Sequence, residues 1–203
     1  MKRIVTTILA TLCVIAAVAQ DSGAEVLRAM SQKLAQMGSY RIDFAIDMPG
    51  AEEPSKGYCL VEGDRYVIDV DGLAQGYDGE AVWMLNNLTK EYTLDSPKPQ
   101  SRNLFDNPTK AFDFSEDMFE VESFASKSEG EWRVVLLPAE GVLDGIERVV
   151  VDVDQRSQLP TLLGYDMAGV GIYIEIEKIA PVKSSISDFQ IAPPEGYEVI
   201  DFR

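Results

Sequence analysis

The sequence predicts a mostly β protein, an antiparallel meander with very little helix to cover it. Three observations carry this reading. From Tyr40 onward, apolar and polar residues alternate with period two in one short run after another. Turn chemistry such as Asp71-Gly72 and Asp78-Gly79 separates the runs at hairpin spacing. Helical periodicity is confined to a segment ahead of the first run. With no helices between the strands, neighbours in sequence pair as neighbours in a sheet, and a parallel α/β arrangement is excluded.

The chain has 203 residues. Lys2 and Arg3 are followed by an apolar or small stretch from Ile4 to Val18, and Ala17-Val18-Ala19 fits a small-x-small cleavage pattern. Residues 1–19 therefore read as a cleaved secretory signal peptide, and 20–203 as a single domain. Cys13 lies in mid-stretch behind Leu12 and reads as an ordinary apolar residue, not a lipid attachment point. No other segment is long and apolar enough to cross a bilayer as a helix, so no permanent membrane anchor is expected.

A helix follows. Ser22 and Glu25 have capping-box spacing, Val26, Met30, Leu34 and Met37 share one face, and Gly38 supplies the stop. In the first strand Tyr40, Ile42, Phe44, Ile46 and Met48 point one way, and Arg41, Asp43, Ala45 and Asp47 the other. Pro49-Gly50 ends it. Further strands read as 57–61, 66–70, 73–77, 81–86 and 91–94. The stretch from Pro97 to Ser115 breaks the rhythm with Pro97, Pro99 and Pro108 and with Phe105, Phe112 and Phe114. It reads as a long insertion with a short helix after Asn107-Pro108. Strands resume at 118–126, 131–137, 146–153, 161–167 and 171–179. A last short run follows the prolines of Phe189-Gln-Ile-Ala-Pro-Pro-Glu-Gly-Tyr-Glu-Val-Ile-Asp201 and reads as an ordered strand at a sheet edge.

Composition closes several routes. The formal charge is −16, and it becomes −18 without residues 1–19, which hold Lys2, Arg3 and no acid. Nucleic acid, whose binding needs Lys and Arg on phosphates, is excluded. There is no histidine, so His-dependent nucleophile systems and His-ligated metals are excluded. Cys59 is the one cysteine beyond the signal segment and has no partner for redox or zinc chemistry. Acids are abundant, but none stand out as an acid/base pair. Asp69-Val-Asp71-Gly72 and Asp152-Val-Asp154 resemble fragments of calcium loops, lack the spaced ligands that follow, and read as turns. Asn87-Leu-Thr89 is a formal glycosylation sequon that also fits a hairpin turn. No cofactor, metal or catalytic group is indicated.

What remains is an excess of apolar strand face over helix. A curved antiparallel sheet with one helix across its mouth either packs solid or keeps an apolar cavity. A cavity would make the protein a carrier of hydrophobic ligands.

Three stretches together resemble the periplasmic outer-membrane lipoprotein carrier (LolA-type) family. They are Asp78-Gly-Glu-Ala-Val-Trp-Met-Leu-Asn86; Leu136-Leu137-Pro138 followed by Ile146-Glu-Arg-Val-Val-Val-Asp-Val153; and the closing stretch from Phe189 to Asp201. The helix followed by Tyr40-Arg41-Ile42-Asp43-Phe44 suits the family's start, so the likeness covers nearly all of residues 20–203. The resemblance implies an incomplete, strongly curved antiparallel β-barrel whose helices close an apolar cavity as a lid. It implies a monomeric periplasmic chaperone, not an enzyme. Such a protein shields the acyl chains of lipoproteins and carries them from an inner-membrane exporter to an outer-membrane acceptor.

On this reading the acyl chains lie against Ile42, Phe44, Ile46, Tyr66, Ile68 and Trp83, closed over by Met30, Leu34, Phe105, Phe112 and Phe114. The basic residue that the family ties to lid opening has its nearest match in Arg65, here without the family's following proline. A lipid- or lipoprotein-sensing interaction module on the same fold is the alternative.

Overall fold

The structure, a computed structural model, describes residues 22–97, 107–128 and 130–203. The predicted signal peptide and Phe105 lie outside the described residues. Helix α1 spans 22–37 and stops at Gly38, whose left-handed φ of +71° suits glycine. Its inward stripe is Leu27, Met30 and Leu34, all buried, with Val26 and Met37 packed at the flanks. The stripe is thus centred on the i, i+3, i+7 set that includes Leu27, which the four-residue steps from Val26 passed over.

Twelve strands follow: β1 Ser39–Asp47, β2 Ser55–Glu62, β3 Arg65–Val70, β4 Leu73–Tyr77, β5 Val82–Asn86, β6 Glu91–Asp95, β7 Phe119–Ser126, β8 Glu131–Pro138, β9 Arg148–Asp154, β10 Pro160–Met167, β11 Val170–Pro181 and β12 Glu198–Asp201. They form one sheet in the order β12-β6-β5-β4-β3-β2-β1-β11-β10-β9-β8-β7. The sheet is curved, and its end strands β12 and β7 do not meet, so the barrel is open. The expected short helix after Asn107-Pro108 is a single 3-10 turn, Pro108–Lys110.

Pairing is antiparallel between neighbours except at one end, where β12 runs parallel to β6. A meander predicts antiparallel pairs only. The chain, however, reaches β6 through a long connection after β11, not through a hairpin, and that frees its direction. Between β1 and β11 the register shifts at Asp43/Phe44, so that Phe44 faces Ile176 while Asp43 faces Lys178. This bulge lets Ile172, Ile174 and Ile176 share a face with Ile179, three residues further on.

The two faces of the sheet carry separate cores. Inside the curve, α1 and the segment around Ala111 and Phe112 pack on apolar residues from β1–β3 and β7–β11. Outside, Val67, Ala74, Trp83, Leu85, Tyr92 and Phe189 form a smaller cluster. Two readings of the sequence need correction. Met48 is exposed because β1 ends at Asp47 and the chain has already entered the turn. Asp152 is not a turn residue: it lies within β9 and is buried. Only Asp154, which accepts the Ser157 backbone N–H at 2.7 Å, serves the turn.

Candidate functional site

Strand alternation builds the inner surface. Ile42, Phe44 and Ile46 of β1 and Tyr66 and Ile68 of β3 point into the curve, where they meet Met30 and Leu34 of α1 and Phe112 of the insertion. Phe44 faces Gly57 across β1 and β2. A Cβ at Gly57 would stand 2.8 Å from the Phe44 ring, so the glycine is what lets the ring lie against β2. Phe114 packs against this core and meets Phe119 edge to face, with ring centroids 5.3 Å apart. Gln75 donates to the Tyr66 hydroxyl at 3.2 Å. Cys59 is fully buried in the same cluster, and burial pushes its thiol pKa up, which leaves it unreactive. Burial likewise raises the Tyr40 phenol.

Two polar links tie α1 to the insertion. The Ser31 hydroxyl donates to the Phe112 carbonyl at 2.6 Å, and Arg28 pairs with Glu116 at 2.6 Å on the surface. Every deeply buried α1 side chain that meets the sheet is aliphatic or thioether. At the mouth, a cleft of about 410 Å³ opens between the end of α1, the start of β1, the β2–β3 turn and the insertion. Leu34, Tyr40, Val61 and Phe112 give it an apolar floor. Ser31, Asp64, Thr109, Lys110 and Asp113 give it a polar rim. Sequence reasoning passed over these rim residues, because turn and loop positions carry no periodicity.

Eight expected site residues thus come together in one cluster: Met30, Leu34, Ile42, Phe44, Ile46, Tyr66, Ile68 and Phe112. Phe114 borders it. Trp83 does not belong. It sits in the outer cluster, flat on Gly76, where a Cβ would stand 2.3 Å from its ring. Its indole N–H donates to the Phe189 carbonyl at 2.7 Å. The run Val82-Trp83-Met84-Leu85 is apolar throughout and hides which face Trp83 takes; the closing segment covering the outer face decides it.

Arg65 shares the outward parity of Val67. It pairs with Glu62 at 3.0 Å and lies over the Phe189 ring, 5.2 Å from its centroid. Glu62 also accepts from Ser184, whose hydroxyl contacts that of Ser39 at 2.7 Å. Arg65 is therefore brought to the closing segment and not to α1.

The outer face also holds a charged cluster. Arg133 binds Asp152 through two hydrogen bonds of 2.7 Å, and Lys127 reaches both Asp152 at 2.7 Å and Glu131 at 2.8 Å. Burial opposes the Asp152 charge, but the bonds from Arg133 and Lys127 outweigh it and hold its carboxyl below the usual range. Among the described residues, no group of three or more His, Cys, Asp or Glu could hold a metal ion, and no helix is long and apolar enough to cross a membrane.

No family model and no curated protein matches the sequence. Among solved structures, an uncharacterized conserved protein from Thermus thermophilus aligns with a TM-score of 0.62 at 11% identity, over 89% of this chain and 99% of that one. A DUF1329 family protein from Desulfovibrio piger aligns with a TM-score of 0.50 at 11% identity, over 85% and 97%. A LolA superfamily protein from Nitrosomonas europaea gives 0.45 at 13% identity, over 85% and 98%. The chain therefore shares its fold, and not a recognisable sequence, with the Thermus and Desulfovibrio proteins.

Proposed function

We propose that the chain is a periplasmic chaperone that shields the acyl chains of lipoproteins and carries them between an inner-membrane exporter and an outer-membrane acceptor, after removal of residues 1–19. The observation that carries this reading is the composition of the closure. The inner face of the open barrel is apolar, and Met30 and Leu34 of α1 with Phe112 cover it through apolar contacts. Apolar contacts are non-directional, so acyl chains can replace them one for one, and each buried CH₂ is worth about 0.8 kcal/mol. Methionine at position 30 adapts to either neighbour. In this reading Ile42, Phe44, Ile46, Tyr66 and Ile68 receive the chains once α1 and the insertion lift together, with the Ser31 and Arg28 links intact. The three stretches that resemble the LolA-type carriers point to the same assignment, and no step in it requires an enzyme.

Native mass spectrometry of the purified protein, incubated with a detergent-solubilised triacylated lipoprotein, tests the proposal. A one-to-one complex is expected with the acylated form and not with its deacylated counterpart. Equal binding of both forms, or of neither, would overturn it.

A further inference from the structure

Five hairpins turn at the same end of the sheet, and four of them that are neighbours, β5–β6, β3–β4, β1–β2 and β10–β11, share a feature that the fifth, β8–β9, lacks. This end lies away from the cleft, where Gly38 and the β2–β3 turn meet. Each of these four tips carries one large exposed apolar side chain. Leu88 is 92% exposed, Leu73 49%, Met48 42% and Val170 46%. Successive tips are two strand spacings apart, roughly 10 Å. Apolar residues scattered singly over a surface are ordinary; one on each of four consecutive tips is a pattern.

The tips are also held in shape. Asn86 accepts the backbone N–H groups of Leu88 and Thr89 at 3.0 and 3.2 Å, which keeps Leu88 pointing outward. Asn87 donates to the Gly72 carbonyl at 2.7 Å and ties this tip to its neighbour. Gly72 in turn donates to Asp69 at 3.2 Å, and Ala51 to the Met48 carbonyl at 3.1 Å.

We propose that this row of tips is a shallow docking surface for a phospholipid bilayer with zwitterionic headgroups. Side chains this far apart form no contiguous apolar core of the kind a protein partner buries. Each can instead slip between headgroups to the acyl boundary while its turn stays in the interface. Charge selects the lipid. Asp47, Glu52, Glu53 and Asp71 are exposed beside the tips against Lys56 and Lys90, and this acidic excess repels an anionic leaflet. The surface stands apart from the barrel mouth and does not depend on acyl binding there.

Flotation of the purified protein with phosphatidylcholine vesicles tests it. The unaltered protein is expected to co-float, and less so when phosphatidylglycerol is added at low salt. The combined substitution Met48→Ser, Leu73→Ser, Leu88→Ser and Val170→Ser is expected to lower the bound fraction roughly tenfold with an unchanged melting curve. In a separate variant, Leu88→Trp, the added indole emission is expected to shift to the blue on contact with vesicles. An unaltered protein that stays with the unbound fraction would overturn the proposal, as would equal flotation of the fourfold variant or an unshifted Leu88→Trp signal. A self-association abolished by the four substitutions, without vesicle binding, would assign the row to a second copy of the chain instead.

Discussion

Asp152 shows how a buried charge is kept on this molecule. Its side chain is 1% exposed, yet Arg133 and Lys127 supply three hydrogen bonds to it. Because its pKa is lowered on folding, its contribution is complete above the ordinary Asp value of about 3.9 and is lost as pH falls through the lower folded value. Asp152→Asn is expected to lower stability at neutral pH by about 1–3 kcal/mol, the worth of hydrogen bonds to a charged group. Urea unfolding at stepwise lower pH should show the gap between the two proteins closing as Asp152 is protonated. A gap that is constant down to acid pH would contradict the assignment. Phe44 and Gly57 illustrate the opposite need: a large ring is admitted only because its cross-strand partner has no side chain.

At the scale of elements, the closing segment acts as a strap over the outer face. Phe189, Ile191 and Tyr197 pack with Trp83, Val67 and Tyr92, and Tyr197 donates to Asn87 at 2.8 Å. The strap then adds β12 as a short edge strand, with Phe202 N–H reaching the Leu94 carbonyl at 2.9 Å. Trp83→Phe keeps most of the apolar contact and removes the bond to the Phe189 carbonyl. It is expected to cost about 1 kcal/mol, measured by denaturant midpoint. Amide exchange should rise first in 186–201 if the strap is a local unit, and uniform exchange would show that it opens only with the whole sheet.

At the scale of the whole molecule, an acidic chain of net charge −16 repels itself when folded. Raising NaCl from about 0.01 to 0.15 M shortens the screening length from about 30 to about 8 Å. The thermal midpoint should therefore rise with salt. A falling midpoint in calorimetry would mean that the ion pairs outweigh the repulsion. The same scale shows what could be read in advance. Period-two alternation and Asp-Gly turns located β4 to the residue, 73–77 in both readings. Ile42, Phe44 and Ile46 converge because parity along a strand assigns a face where apolar and polar residues alternate, and Met30 and Leu34 join them through helical periodicity. Trp83 and Arg65 lie on the other face: the all-apolar run around Trp83 carries no parity signal, and the cover that Phe189 gives both residues comes from a segment distant in sequence.

By itself the sequence determined the helix, twelve strands, an apolar inner face and the lack of any histidine chemistry, since these follow from local periodicity, turn residues and counts. Tertiary structure alone decided that β12 runs parallel to β6, that the closing segment buries Trp83, that Asp152 is a buried ion-pair hub, and that four tips line one edge. Each of these depends on which residues distant in sequence meet across the sheet, and that is set by curvature and by competition for burial, neither of which leaves a local pattern in the chain.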